Sequence, residues 1–172
     1  SVAQKEKPVY ELLLDREFDA LRRPLGYSVL AGVATAMYLW VWPPGVLIVG
    51  ILGVFFLVHL SAEVVRGNSP EHTALVGVVS MTVAGLLQLP SIATLELNAT
   101  ARSLLQPGLA FAVAFGCVFM SWLFRQWEAR DLSNISYPGA IAGILLFGAL
   151  FMMLVLPNLF NYFVDQVLRV VG

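Results

Sequence analysis

The sequence predicts an all-α membrane protein, a polytopic bundle of about five transmembrane helices preceded by an amphipathic helix. Apolar residues make up 59% of the 172 residues and charged residues only 12%, whereas soluble domains carry roughly 25% charged residues. The apolar residues form runs of about twenty, which as helices match a hydrocarbon core of roughly 30 Å. These runs lack the two-residue alternation of a membrane barrel. Helices are therefore expected, because a helix satisfies its own backbone polar groups in lipid.

The most polar stretch is the N-terminal arm, residues 1–24. Its apolar side chains recur at three- and four-residue steps, which is typical of one helical face lying at a membrane interface; they are Tyr10, Leu14, Phe18, Leu21 and Leu25. Pro24 is expected to end this helix, since proline disfavours helix at the preceding residue. We therefore divide the chain into an arm, 1–24, and a transmembrane bundle, 25–172, and we expect both to be an excerpt of a larger membrane domain.

Five transmembrane spans follow from the positions of the apolar runs. They are Leu25–Trp42, Val46–Val65, Thr73–Ala93, Leu104–Phe124 and Gly139–Phe160. The first two are separated only by Pro43-Pro44-Gly45, which predicts a tight helical hairpin. Pro90 and Pro157 are expected to kink or end the third and fifth spans. Glycines at 50, 53 and 143–148 are expected to let helices approach closely.

The distribution of basic residues predicts the orientation in the cell membrane. With the arm in the cytoplasm, eight of the ten Lys and Arg residues lie inside, namely Lys5, Lys7, Arg16, Arg22, Arg23, Arg66, Arg125 and Arg130. Only Arg102 and Arg169 then lie outside. This bias follows the positive-inside rule. The basic residues are scattered and the net charge is −1, so we expect membrane lipid as a partner and no nucleic acid.

His59 and Glu63 are the ionisable candidates inside a span. They stand four residues apart on the second span and share a helical face. Both can reach the nearby interface, so anchoring or a helix contact is the first interpretation, and a proton relay or metal pair is the alternative. Several amides and hydroxyls are expected to hydrogen-bond between helices, with the lining of a polar cleft as the alternative: Thr35, Ser80, Thr82, Gln88, Gln106 and Ser121.

No catalytic or metal-binding set is predicted from the residues themselves. The acidic pairs at 15–19 lie on a predicted helix, where side chains two residues apart diverge and cannot chelate one ion. Cys117 has no cysteine partner. Asn98-Ala99-Thr100 is a candidate acceptor for N-glycosylation in a connector expected outside, whereas the sequon at Asn134 is expected in the cytoplasm. A cofactor site stays unknown at this stage.

Four stretches resemble the middle of the membrane domain of haloarchaeal oligosaccharyltransferase catalytic subunits, the dolichyl-phosphooligosaccharide–protein glycotransferase family. They are Pro8–Tyr27 (PVYELLLDREFDALRRPLGY), Tyr38–Gly45 (YLWVWPPG), Trp122–Asp131 and Leu156–Gly172. The resemblance implies a membrane enzyme that transfers a glycan from a dolichol phosphate carrier to the asparagine of N-x-S/T sequons. It implies a dolichol-linked oligosaccharide and the remainder of the enzyme chain as partners.

The resemblance also implies a divalent metal, Mn or Mg, for the whole enzyme. In the family, acidic motifs in outer loops hold this metal and a Trp-Trp-Asp-Tyr-Gly motif reads the acceptor; none of these matches a position here. We therefore expect no catalytic residue and no cofactor in this segment, which would act as scaffold or lipid-carrier wall. Two alternatives from other classes stay open: a small transporter or channel subunit, and a structural assembly subunit.

Overall fold

The computed structural model describes residues 18–93, 95, 102–155, 161, 164, 165 and 168. Within them lie five α-helices: α1 Phe18–Val41, α2 Val46–Val65, α3 Glu71–Gln88, α4 Leu105–Glu128 and α5 Tyr137–Val155. Single 3-10 turns occupy Pro43–Gly45, Leu89–Ser91 and Asn134–Ser136. The described part of the chain has no strand. The all-α prediction is therefore confirmed.

Five helical stretches of the described chain are long and apolar enough to cross a membrane. They are Arg22–Val41, Val46–Val65, Glu71–Ser91, Leu105–Glu128 and Asn134–Phe151. The predicted spans agree with them to within a few residues at most ends; Phe160, the predicted end of the fifth span, and Pro157 lie outside the described residues. Pro90 does end a helix, because α3 stops at Gln88 and continues only as a 3-10 turn. The chain is a multi-pass membrane protein segment.

The predicted helix break at Pro24 is wrong. Helix α1 continues from Phe18 to Val41 with Pro24 inside it. Proline removes a single N–H from the helical ladder, whereas a break within lipid would leave several backbone groups unpaired, so continuing the helix costs less. The arm before Phe18 lies outside the described residues. Its amphipathic helix and the division of the chain at residue 24 stay predictions.

Helix α3 is the centre of the bundle. It packs along both α1 and α4, while α2 packs mainly on α4. The turn between α1 and α2 is as short as predicted, but among the described residues these two helices make little contact with each other. The hairpin expectation is thus right for the turn and wrong for the pairing, because α1 finds its closest partner in α3.

A glycine on α1 explains this choice of partner. A Cβ added at Gly32 would lie 2.5 Å from the backbone oxygen of Ser80 on α3, so the two backbones approach this closely only because glycine has no side chain. A Cβ at Gly77 of α3 would lie 2.6 Å from Cys117 Sγ, so a second glycine brings α3 close to α4. Of the predicted glycines, Gly53 packs against Val113 in this way, whereas those at 50, 143 and 148 meet no atom of the described residues within 4 Å. The described residues therefore give these three glycines no close helix neighbour.

Helix α5 is attached to the rest of the bundle mainly through its first turns. Tyr137 and Ile141 are buried, whereas residues 142–150 are all exposed. The Tyr137 hydroxyl donates a hydrogen bond to the Met120 carbonyl at 2.7 Å, and its ring meets Trp127 edge to face. The apolar flank of α5 beyond Ile141 is therefore available to lipid or to other protein.

Candidate functional site

The two ends of the bundle differ in chemistry. We call the end that carries the connectors between α2 and α3 and between α4 and α5 the basic end, because Arg66, Arg125 and Arg130 lie there. The opposite end carries the Pro43–Gly45 turn and the stretches that flank the α3–α4 connector. Candidate polar sites lie at both ends.

The predicted pair of His59 and Glu63 does share one face of α2. His59 Nε2 lies 3.8 Å from Glu63 Oε1, and the side chains are 40% and 20% exposed. Glu63 Oε2 accepts a hydrogen bond from Asn68 Nδ2 at 2.9 Å, and the imidazole stacks on Phe55. Both side chains therefore interact within α2 and its C-terminal connector. Whether they anchor the helix or carry a proton stays a prediction.

A metal site does not form in the described part of the chain. There, no three His, Cys, Asp or Glu side chains lie close enough to hold one ion. His59 and Glu63 offer only two ligands, fewer than the four of a structural zinc site or the six of an oxygen-liganded site. The described residues therefore do not fit the divalent metal that the family resemblance implies.

A buried ion pair at the basic end was missed by the sequence reasoning. Glu71, in the first turn of α3, is only 6% exposed, and its Oε1 accepts a hydrogen bond from Arg125 Nε of α4 at 3.0 Å. Glu71 precedes the predicted third span, which begins at Thr73. The order of the spans could have indicated this contact. Successive spans cross the membrane in opposite directions, so the start of α3 and the end of α4 lie at the same end of the bundle.

Buried amides and one arginine join helices at the opposite end. Gln88 Nε2 of α3 donates to the Ala36 carbonyl of α1 at 2.8 Å, and Ser91 Oγ donates to the Gln88 carbonyl at 2.7 Å. Arg102 Nη2 donates to the Trp40 carbonyl at 2.8 Å. This carbonyl lies in the last turn of α1, where helical carbonyls lack intrahelical donors. The arginine thus caps α1 from a distant part of the chain.

The stretches that flank the α3–α4 connector are also held. Ala93 N donates to the Arg102 carbonyl at 2.9 Å, which closes the connector at its base. Ser103 N and Oγ both donate to Gln106 Oε1, at 3.0 and 3.1 Å. The two sides of the connector are therefore fixed relative to α1, α3 and α4. Asn98 within it lies outside the described residues, so its modification stays a prediction.

The prediction that polar side chains bond between helices is confirmed for Gln88 and is wrong for Thr35 and Ser80; for Thr82, Gln106 and Ser121 it stays a prediction. Thr35 donates to the Ala31 carbonyl and Ser80 to the Val76 carbonyl, each within its own helix. Hydroxyls are short and reach the carbonyl four residues back most easily, whereas the longer amide of glutamine reaches the next helix. In the described residues, no buried side-chain nitrogen or oxygen lacks a partner.

Two cavities lie beside α5. One, of ≈ 330 Å³, is enclosed by α2, α4 and α5 and is lined by apolar side chains. The other, of ≈ 450 Å³, lies between α2 and α5 at the basic end and includes Arg66 in its lining. We call this second cavity the α2–α5 groove. Neither cavity is lined by the several polar side chains that a reaction centre requires.

Comparison with known proteins gives one relative over the whole chain. The 172 residues are 48% identical to the dolichyl-monophosphooligosaccharide--protein glycotransferase AglB of Haloferax volcanii. The match covers 100% of this chain but only 16% of that protein. No family model matches the chain, and no solved structure matches it. The resemblance stated from the sequence is confirmed: this chain is homologous, over its whole length, to one segment of an archaeal dolichyl-monophosphooligosaccharide--protein glycotransferase.

Proposed function

We propose that this chain is a membrane-domain segment of an enzyme that transfers a glycan from a dolichol phosphate carrier to the asparagine of N-x-S/T sequons. The observation that supports this most directly is the 48% identity to AglB over all 172 residues. Identity at this level over an alignment of the whole chain is expected when both segments occupy the same place in the same kind of enzyme. The partners are then a dolichol-linked oligosaccharide and the remainder of the enzyme chain.

The role of the segment in this proposal is that of a scaffold or a wall beside the lipid carrier. Its contribution is to hold the ends of the α3–α4 connector in place, through Arg102 on the Trp40 carbonyl and Ser103 on Gln106. Catalytic geometry needs elements that are fixed to a fraction of an ångström by packing and hydrogen bonds. The acids and the Mn or Mg ion come from other parts of the enzyme.

The proposed setting is the cell membrane, with the basic end and the N-terminal arm in the cytoplasm. Eight of the ten Lys and Arg residues support this orientation. The α3–α4 connector then lies outside, on the side where the transfer is expected. An impermeant thiol reagent on intact cells tests this after Cys117→Ala: a cysteine at Ala99→Cys should be labelled, and one at Ser69→Cys should not. The reverse pattern would overturn the orientation.

A chimera tests the function itself. We would replace the matching segment of Haloferax AglB by this chain, in cells that lack their own enzyme, and measure glycosylation of a secreted reporter with one sequon. Transfer is expected to return, because a segment that is 48% identical over its whole length should restore the same framework. Loss of transfer with the chimera present in the membrane at normal amount would contradict the proposal.

Two variants sharpen this test. Arg102→Gln removes the hydrogen bond to the Trp40 carbonyl and is expected to lower transfer severalfold while leaving membrane insertion unchanged. Arg130→Gln is the matched control, since Arg130 is exposed at the other end of the bundle. Equal glycan transfer by the two variants would contradict the proposal that this segment acts as a scaffold for the connector.

The transporter alternative receives no support from the cavities. Those beside α5 have apolar linings except for Ser61 and Arg66 at the basic end, and a path for a polar solute needs polar groups along its length. His59→Gln with Glu63→Gln in the chimera adds a direct check. Unchanged glycosylation is expected, because among the described residues this pair interacts with groups on its own helix and connector.

A further inference from the structure

The α2–α5 groove has the lining expected of a site for a hydrocarbon chain. Its ≈ 450 Å³ lie between Val58, Ala62 and Val65 of α2 and Pro138, Ala142 and Leu145 of α5, within the roughly 300–1,000 Å³ of small-ligand sites. The neighbouring cavity of ≈ 330 Å³ shares Leu57, Ile141 and Leu145 with it. Apolar space therefore continues from the groove along α5 toward the middle of the membrane.

The mouth of the groove is positively charged. Arg66 lines it and is exposed, and its guanidinium has no hydrogen-bond or ion-pair partner among the described residues. Helix α5 begins beside it at Tyr137, with Pro138 in the lining, and a helix N-terminus carries roughly half a positive charge. Glu63, the acid three residues before Arg66, is already engaged by His59 and Asn68.

We propose that the α2–α5 groove binds an anionic membrane lipid, with an acyl chain along α5 and the phosphate at Arg66. The apolar lining of the α2–α5 groove matches the hydrocarbon chain of such a lipid, and Arg66 at its mouth matches the phosphate. A soluble anion would not need the apolar lining, and a peptide would not need this combination of an apolar lining and one cation. The lipid also covers the flank of α5 that the bundle leaves exposed. The occupant is a bulk lipid of the leaflet at the basic end and not the glycan carrier, because the proposed transfer occurs at the opposite end. Only this last choice rests on the proposed function.

Lipid retention by the purified chain tests the site. The chain is exchanged into a neutral detergent and mixed with phosphatidylglycerol or phosphatidylcholine of identical acyl chains, and native mass spectrometry measures the lipid bound per chain. We expect about fivefold tighter binding of phosphatidylglycerol, the factor that one basic residue near anionic lipid supplies. Arg66→Gln should abolish this preference, and Arg130→Gln should keep it.

A second pair of variants tests the apolar part of the groove. Ala142→Phe places a ring in the groove and should lower the binding of both lipids severalfold. Gly143→Phe is its matched control, because Gly143 is the next residue, does not line the groove and has no atom near its Cβ position. Circular dichroism of each variant establishes that the helices are intact.

Several results would overturn the proposal. One is equal retention of the two lipids by the unmodified chain. Another is an equal loss from Arg66→Gln and Arg130→Gln, which would mean attraction by net charge alone. Displacement of phosphatidylglycerol by an equal concentration of a polyprenyl monophosphate, with the same dependence on Arg66, would show that the groove holds the carrier instead.

Discussion

The α1–α3–α4 core and helix α5 are all apolar enough to cross a membrane, but they are held in the bundle in different ways. The core helices approach until a Cβ at Gly32 or Gly77 would collide with its neighbour, and buried polar contacts join them at both ends. Helix α5 contributes Tyr137 and Ile141 to the interior and exposes the residues that follow. Hydropathy therefore indicates which segments enter the membrane, and small residues with buried polar partners determine which of them pack together.

The largest expected effect tests the close approach in the core. Gly32→Leu should lower the free energy of unfolding by about 3 kcal/mol, the upper range for overpacking, because its Cβ would lie 2.5 Å from the Ser80 backbone oxygen. Gly143→Leu on α5 is the control and should not lower stability, because no described atom lies near its Cβ position and glycine is a poor residue for a helix interior. Denaturant titration in detergent, followed by circular dichroism, measures both. Similar losses would erase the distinction between core and α5.

The next effect concerns the ion pair of the core. Glu71→Gln should destabilise the chain by about 1–2 kcal/mol, because the carboxylate is buried against Arg125. The loss is smaller than the roughly 3–5 kcal/mol of a fully buried pair, since Arg125 is half exposed. Asp131→Asn removes an exposed acid and is the control. The same denaturant titration measures both variants. If Glu71→Gln leaves the free energy of unfolding unchanged, this ion pair does not hold α3 to α4.

A smaller effect is expected where α5 joins the bundle. Tyr137→Phe removes the buried hydroxyl that donates to the Met120 carbonyl, which is worth about 1 kcal/mol. Because α5 has few other buried contacts, the change should increase amide hydrogen exchange in α5 more than in α3. Tyr27→Phe, on an exposed tyrosine, serves as control. Uniformly faster exchange throughout the bundle would show that α5 and the core unfold as one unit.

The smallest effect is expected at the predicted candidates of α2. A double-mutant cycle of His59→Gln and Glu63→Gln should give a coupling of no more than about 0.5 kcal/mol, as for exposed pairs one helical turn apart. The 3.8 Å separation and the exposed imidazole are the reasons. A coupling above about 1 kcal/mol would place this pair with the core contacts, and it would revive a functional interpretation of the two residues.

The spans themselves could be predicted from sequence because their lengths and apolar runs are local properties. The partners of each helix could not. In helices that are apolar on every face, no single apolar face indicates which neighbour the helix packs against. The short turn Pro43-Pro44-Gly45 between α1 and α2 therefore predicts that these two helices pair. Gly32 and Gln88 decide the pairing instead, and both act through residues about fifty positions away.

The polar contacts differ in how far they can be predicted from the sequence. The shared face of His59 and Glu63 follows from helical periodicity alone. The contact of Glu71 with Arg125 spans 54 positions and requires the order of the helices to be known first. The helix break predicted at Pro24 is wrong for a different reason. The rule that proline ends a helix does not include the cost of unpaired backbone groups in lipid.

Arg102 also has a consequence for how this protein can diverge. Ala93 N donates a hydrogen bond to the Arg102 carbonyl, and the Arg102 guanidinium donates one to the Trp40 carbonyl, so the length of the chain between residues 93 and 102 is uncoupled from the spacing of α3 and α4. Doubling the length of a loop between fixed ends costs only about 0.6 kcal/mol in closure entropy. Relatives can therefore be expected to gain or lose residues there while their helices stay in register.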